Sequence, residues 1–329
     1  MTEKLLRGPV PIPADEAGYL IATASRAPSV HNTQPWRFRI GQYSIELYSD
    51  PRRRLRVDRA GREMYISCGC ALFGLRLAVR SLGYLPFVEM FPDPDRLRLL
   101  ARVGMGATEP LSARERALLE AMPHRHTHRG AFAPGPLPPG LLAGLQHDSL
   151  TEGATLALVD PGLAYQRLAD IITASERRLD LDPLVRAETR RWSRSADSSA
   201  RDGVPAHAFA GSPDGQKGRL AQRDFDLGRG LGVLTADGPP ASTAVLITPG
   251  DTRADWLRTG QALHRVLAHA ASKWVFASMH TQPLEVSSIR ALIRDRLGLP
   301  GYPQIVLQLG LARATRSTAR RPPDELIDP

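Results

Sequence analysis

PHRHTHRGAF, residues 123–132, threads two arginines and a threonine between three histidines. Two chemistries compete for it. Side chains at alternate positions of an extended chain share a face, so His124, His126 and His128 offer the nitrogen set of a metal site. Metal-bound imidazoles, however, lean on nearby carboxylates, and no acid lies between Glu120 and Asp148. Arg125 and Arg129 also raise the cost of a local dication. The other reading takes Arg125, Thr127 and Arg129 as two guanidinium forks and a hydroxyl, the donor set that grips a phosphate monoester. A solvated basic loop has the same composition and stands beside it.

A second stretch with chemistry in it is RAPSVHNTQPWRF, residues 26–38. Ser29, His31, Asn32 and Gln34 are hydrogen-bonding side chains bracketed by rigid Pro28 and Pro35. A polar loop rooted on the strand that begins at Trp36 suits a flat heteroaromatic ligand; an ordinary connecting turn is the plainer alternative. Arg52, Arg53, Arg54, Arg56 and Arg59 form a basic run that reads more simply as a solvated loop than as a site for nicotinamide-cofactor phosphates. The chain offers no Ser-His-Asp or paired-carboxylate arrangement.

Periodicity supplies the elements that must hold these stretches. ADEAGYLIATA (14–24) has helical spacing with two acids in its first turn. WRFRI alternates, Gly41 marks a turn, and Ile45 and Leu47 continue a β-hairpin. MYISCGCALFGLRLAVRSLGY (64–84) is apolar nearly all round, the mark of a buried helix. ATLALVD and STAVLITPG read as buried strands, and LLAGLQ as a helix entered through Pro138 and Pro139. Residues 186–230, rich in Gly, Ser and Arg, read as a long irregular excursion that could act as a lid.

One internal similarity organises the rest. SCGCALFGLRLAVRSLGYLPFVEMFP (67–92) and RTGQALHRVLAHAASKWVFASMHTQP (258–283) align at a constant offset of 191, matching Gly69 with Gly260, Ala71 with Ala262, Leu72 with Leu263 and Pro92 with Pro283. Each is followed by a strand-like segment, ARVGMGA or LQLGLA. The shared order points to a duplication.

Bulk properties narrow the partners. The 329 residues carry 43 Lys and Arg against 34 Asp and Glu, a net charge of +9 that favours anionic ligands. With 6% aromatic residues and no recognisable binding module, the charge alone does not make a nucleic-acid binder. The two cysteines, Cys68 and Cys70, point different ways on one helix and read as reduced core residues. No segment reaches the roughly 20 apolar residues of a membrane span, and the first residues lack a signal core; a soluble cytoplasmic protein is expected.

APSVHNTQPWRF closely resembles the APSxxNxQPWxF loop of the FMN-dependent nitroreductase family, and RHTHRGAF resembles that family's R-x-S-x-R-x-F phosphate clamp, with Thr127 replacing serine. In ordinary members the clamp precedes the loop, and two chains pair so that the clamp of one meets the loop of the other. The order is reversed here, as it would be if both halves of that dimer were fused, one composite site being kept and the other lost. The single-chain, duplicated Acg-type branch looks like this, and REMYISCGCAL, GQAL, MHTQPLE and Arg320-Arg321-Pro322 agree with it. The resemblance implies an α+β protein, a nitroreductase-like fold duplicated in one chain, with 1–122 and 123–329 as its halves in an intramolecular pseudo-dimer that works as a monomer, with further oligomerisation left open.

The same resemblance implies one bound FMN and hydride transfer from NAD(P)H to a small nitro- or quinone-like acceptor. Arg125, Thr127 and Arg129 would hold the phosphate, with His126 beside them, and Arg320 and Arg321 would close on it from the C-terminal side. Pro28, Ser29, Asn32 and Gln34 would approach the flavin from the other half, and Ser278 and Met279 would lie along its ring edge. Ring-contacting residues are also expected within 165–230. His124 and His128 are left facing solvent. A closed lid would instead give an FMN-sequestering protein with little turnover.

Overall fold

The computed structural model describes residues 10–129, 132–133, 135–195, 197–208, 220, 223, 225, 227, 242–312 and 317–328. Helix α1 (Ala14–Ala24) buries Ala17, Leu20, Ile21 and Ala24 along one stripe, with Asp15 and Glu16 in its first turn. Strands β1 (Trp36–Ile40) and β2 (Ser44–Ser49) form the hairpin, with Trp36 and Phe38 fully buried. Helix α2 (Arg62–Ser81) follows, and β3 (Tyr84–Met90) and β4 (Leu99–Thr108) complete an antiparallel sheet of order β1-β2-β4-β3. Helix α3 (Ala113–Ala121) leads into the clamp stretch.

The second half repeats this plan with insertions. Helix α4 (Leu141–Thr151) precedes β5 (Thr155–Leu158). Helices α5 (Leu163–Asp180) and α6 (Pro183–Trp192) and a short parallel ladder of β6 (Ser193–Arg194) with β7 (Val204–Pro205) are inserted next. Then come β8 (Ser242–Thr248), α7 (Arg253–Ser272), β9 (Val275–Met279), α8 (Gln282–Glu285), α9 (Ser287–Arg296) and β10 (Tyr302–Leu311). The sheet order is β5-β8-β10-β9, the first sheet's pattern over again. The predicted irregular excursion is therefore helical at its start. Asp182 caps α6 by accepting from the Leu184 N–H, Pro183 occupies its first turn, and Val185, Thr189 and Trp192 are buried along one side. Of the remainder, 209–219 and most of 221–230 lie outside the described residues.

The duplication extends to the packing. The bounds of α2 and α7 obey the offset of 191 at both ends, and the two helices cross at their matched glycines. A methyl group on Gly69 would lie 2.1 Å from the Leu257 carbonyl oxygen, and one on Gly260 would lie 2.0 Å from that of Ile66. Ile66 and Leu257 are themselves related by the offset, so the contact is reciprocal, as at a two-fold axis. Only glycine permits this approach. It also explains why α2 is apolar all round: every residue but Arg76 and Ser81 is buried, and one core draws on both halves.

Two edge pairings bring distant segments to the site. The clamp stretch lies along β9, the His128 N–H donating to the Ala277 carbonyl at 2.8 Å. Residues 326–328 lie along β1 of the other half: Leu326 accepts from the Phe38 N–H at 2.8 Å, the Asp328 N–H donates back to Phe38 at 2.7 Å, and Arg37 pairs with Asp328. Among the described residues no helix is long and apolar enough to cross a membrane.

Candidate functional site

The 28–34 loop and the 125–129 stretch meet at one cleft. Pro28 and Ser29 line one wall, Thr127, His128 and Arg129 another, and Ser278 and Met279 a third, where β9 ends. Helix α2 contributes Glu63, Ile66, Ser67 and Cys70, and α7 contributes Leu263. Arg223 and Phe225 complete the lining from within the range where ring-contacting residues are expected. The clamp stretch then runs into a second, open recess lined by Arg26, Arg125, His126, Thr318, Arg320 and Arg321. Arg320 and Arg321 thus share a recess with Arg125, and both halves build the cleft.

Electrostatics distinguish the recess from a solvated loop. Arg125 is buried, and its Nε and Nη1 have no hydrogen-bond partner among the described residues; only Nη2 is engaged, donating to the Arg26 carbonyl at 3.2 Å. Arg320 Nε and Arg321 Nη1 are likewise unpartnered. Burial brings the Arg125 guanidinium down to about 10, burial and Arg125 bring Arg129 to about 10, and burial with Arg125, Arg26 and Arg129 brings Arg320 to about 9. All remain charged at neutral pH. Among the described residues, Glu325 on Arg321 is the one carboxylate that pairs with this group. Cations with unpartnered buried donors are the observation that fits a bound phosphate, since burying charge without a counter-ion is otherwise costly.

The three histidines divide. His124 stacks against Trp274 at 5.8 Å between ring centres. His126 lines the recess, held neutral with its pKa near 4 by burial and then Arg125 and Arg320. His128, expected at the solvent face, instead lines the cleft beside Phe132.

Asn32 and Gln34 fasten the loop; they are absent from the cleft lining. Asn32 Nδ2 donates to the carbonyls of Gly203 (3.0 Å) and Ala319 (3.1 Å), while its Oδ1 accepts from Arg320 Nη1 at 3.0 Å. Gln34 Nε2 donates to the Arg201 carbonyl at 2.7 Å, and its Oε1 accepts from the Arg321 N–H at 2.8 Å. The backbone needs such fastening: His31, Asn32 and Gln34 have φ of 48°, 55° and 49°, a left-handed region that L residues enter at a cost. Ser29 braces the turn, its Oγ accepting from the Gln34 N–H at 3.0 Å.

A buried charged group absent from the sequence-based site reaches the cleft wall through Glu63 and Arg223. Glu63 pairs with Arg62, whose Nη1 donates to the Gln304 carbonyl at 2.7 Å. Arg223 pairs with Glu285 at 3.0 Å. Burial pushes the Glu63 carboxyl up to about 7, against the pull of Arg62. One signal for this wall was present: Glu63 and Ser67, spaced i, i+4, are a polar stripe in an otherwise apolar helix. On α7 the offset carries Cys70 to Gln261. There Arg76 donates to Gln261 Oε1 at 2.8 Å and pairs with Glu152 at 2.6 Å, so the amide that replaces the thiol is held in a polar network.

A duplicated sheet-and-helix frame with one composite cleft defines a nitroreductase-like protein doubled within one chain. Comparison with known proteins makes the family explicit. The chain is 36% identical over 305 residues to a Mycobacterium tuberculosis H37Rv protein provisionally named NAD(P)H nitroreductase Rv3131, covering 91% of this chain and 86% of that one. The protein acg of the same strain, provisionally named an NAD(P)H nitroreductase, is 28% identical over 322 residues, 93% of each chain. The chain belongs to this nitroreductase family. Among solved structures, the FMN-dependent nitroreductase NfnB of Mycobacterium smegmatis in complex with NADPH aligns at 16% identity and a TM-score of 0.38, over 60% of this chain and 88% of that one. No family model matches the chain.

Proposed function

We propose that the chain binds one FMN across its two halves and passes hydride from NAD(P)H to a small nitro- or quinone-like acceptor, working as a monomer with its halves dividing near residue 122. The observation that supports this best is the cluster of guanidinium groups with unpartnered donors in a recess that shares the 125–129 stretch with a cleft contributed by both halves. Arg125, Thr127 and Arg129 would hold the phosphate from one side and Arg320 and Arg321 from the other. Pro28, Ser29, Ser278 and Met279 would bound the ring. When bound, the flavin supplies the hydride chemistry. The protein's part is to fix the ring's position, exclude water behind Phe225 and Leu263, and bring donor and acceptor to the cleft in turn.

A second reading, FMN held with little turnover, is supported by ion pairs that tie residues of 186–230 to the rest of the chain. Asp202 pairs with both Arg53 (2.9 Å) and Arg194 (2.6 Å), and Arg223 is tied to Glu285. An absorption spectrum of the purified protein separates the readings. A yellow protein bleached by NADPH and restored by a quinone supports turnover. Yellow that persists with either nicotinamide supports sequestration, and a colourless protein that ignores added FMN refutes both.

A further inference from the structure

His31 carries two adverse features at one residue of the cleft wall. Its backbone sits at φ 48°, and the residue, 7% exposed, has an unpartnered ring Nδ1. The other nitrogen fixes the ring's chemistry. Arg223 Nη1 lies 2.8 Å from His31 Nε2, and a guanidinium has donors only, so Nε2 accepts and bears no proton. Burial, reinforced by Arg223 and Arg129, holds the imidazole pKa well below its usual value. A neutral ring with a bare Nε2 has its proton on Nδ1. Arg223 is itself held by Glu285 through Nη2 at 3.0 Å, and Phe225 packs edge-on against the imidazole at 5.0 Å. A carboxylate, a guanidinium and an aromatic edge thus orient a single N–H donor that has nothing to bond among the described residues. Buried donors are rarely left so.

We propose that His31 Nδ1–H donates to a carbonyl-type oxygen of a planar ligand in the cleft. Two sources present that oxygen: a carbonyl of the flavin ring, or the quinone or nitro acceptor. The assignment rests on the flavin reading of the cleft. His31 is an orienting donor here, and no bond to it is made or broken.

The full-length chain, freed of flavin and labelled with 15N-histidine, tests the tautomer directly: the ring should show a protonated Nδ1 and a bare Nε2. Addition of FMN, then of 2-methyl-1,4-naphthoquinone, should move the Nδ1 resonance with one of them. Two variants test the contact. His31→Gln carries its amide to the place of Nε2, keeping the Arg223 bond and losing the donor. His31→Asn carries its amide to the place of Nδ1 and tolerates the left-handed backbone. His31→Gln should weaken FMN or quinone binding about tenfold, and His31→Asn should restore most of it; the ligand affected identifies the oxygen. Unchanged affinity of His31→Gln for both probes, or a proton on Nε2, overturns the assignment while leaving the flavin reading intact. A wild-type chain that ignores FMN overturns the flavin reading, and this inference with it.

Discussion

Arg125→Met tests whether the recess is built for an anion. At neutral pH Arg125 is charged in the folded and the unfolded chain alike. The fall from ~12.5 for a free guanidinium to about 10 therefore measures a penalty that the flavin-free fold bears in full. It corresponds to about 3 kcal/mol and is relieved only as pH rises through 10, where the folded chain gives up its proton before the unfolded one. Methionine fills much of the same space without charge. It forfeits the bond to the Arg26 carbonyl, worth about 1 kcal/mol, leaving a net gain of about 2 kcal/mol. At about 2.1 cal/mol/K per residue, a chain of this length has an unfolding entropy of roughly 0.7 kcal/mol/K. The flavin-free variant should therefore melt about 3 °C above wild type. With FMN at about a thousand times its Kd, wild type should gain about 4 kcal/mol, or roughly 6 °C, and the variant should lose most of that rise because the two unpartnered donors proposed for the phosphate are gone. Calorimetry of both proteins, deflavinated and FMN-saturated, measures all four temperatures. A flavin-free variant that melts below wild type, or an undiminished rise with FMN, would refute the reasoning.

Gly69→Ala and Gly260→Ala should each destabilise the chain by about 3 kcal/mol, because each methyl meets a backbone carbonyl that cannot swing aside; similar losses in thermal unfolding are the mark of the reciprocal contact, and a neutral substitution at either position would contradict it. For Glu63, burial lifts the folded pKa from 4.5 to about 7, so between those values the folded chain holds more protons than the unfolded one and stability falls as pH rises. Melting temperatures across pH 4.5–7 should decline by the equivalent of up to about 3 kcal/mol. Glu63→Gln should flatten that decline, and an unchanged slope would rule out Glu63 as its source.

Much of the frame was legible because it rests on local periodicity. The alternation in 36–40, the apolar run of α2 and the offset of 191 all survive as strand, buried helix and crossing glycines. The clamp and the loop were legible as residue types. What the loop residues do was not: Asn32 and Gln34 look like ligand-facing amides, yet their partners come from 201–203 and 319–321, and the positive φ values that demand those partners leave no mark on composition. His31 and Arg223 were invisible as a pair for the same reason, being 192 positions apart. Helix α6 was hidden by its charge, since the Arg-rich face masks the Val185–Trp192 stripe; the cap at Asp182 and the proline after it were the usable signal.

The crossing of α2 over α7 relates Cys70 to Gln261, a thiol in the wall of the cleft and an amide bonded to Arg76. Two identical subunits cannot differ at one position, so any change that improves one of their pockets is imposed on the other. Joining the subunits end to end lifts that constraint. One pocket is then free to specialise independently of its twin, and dilution cannot separate the parts.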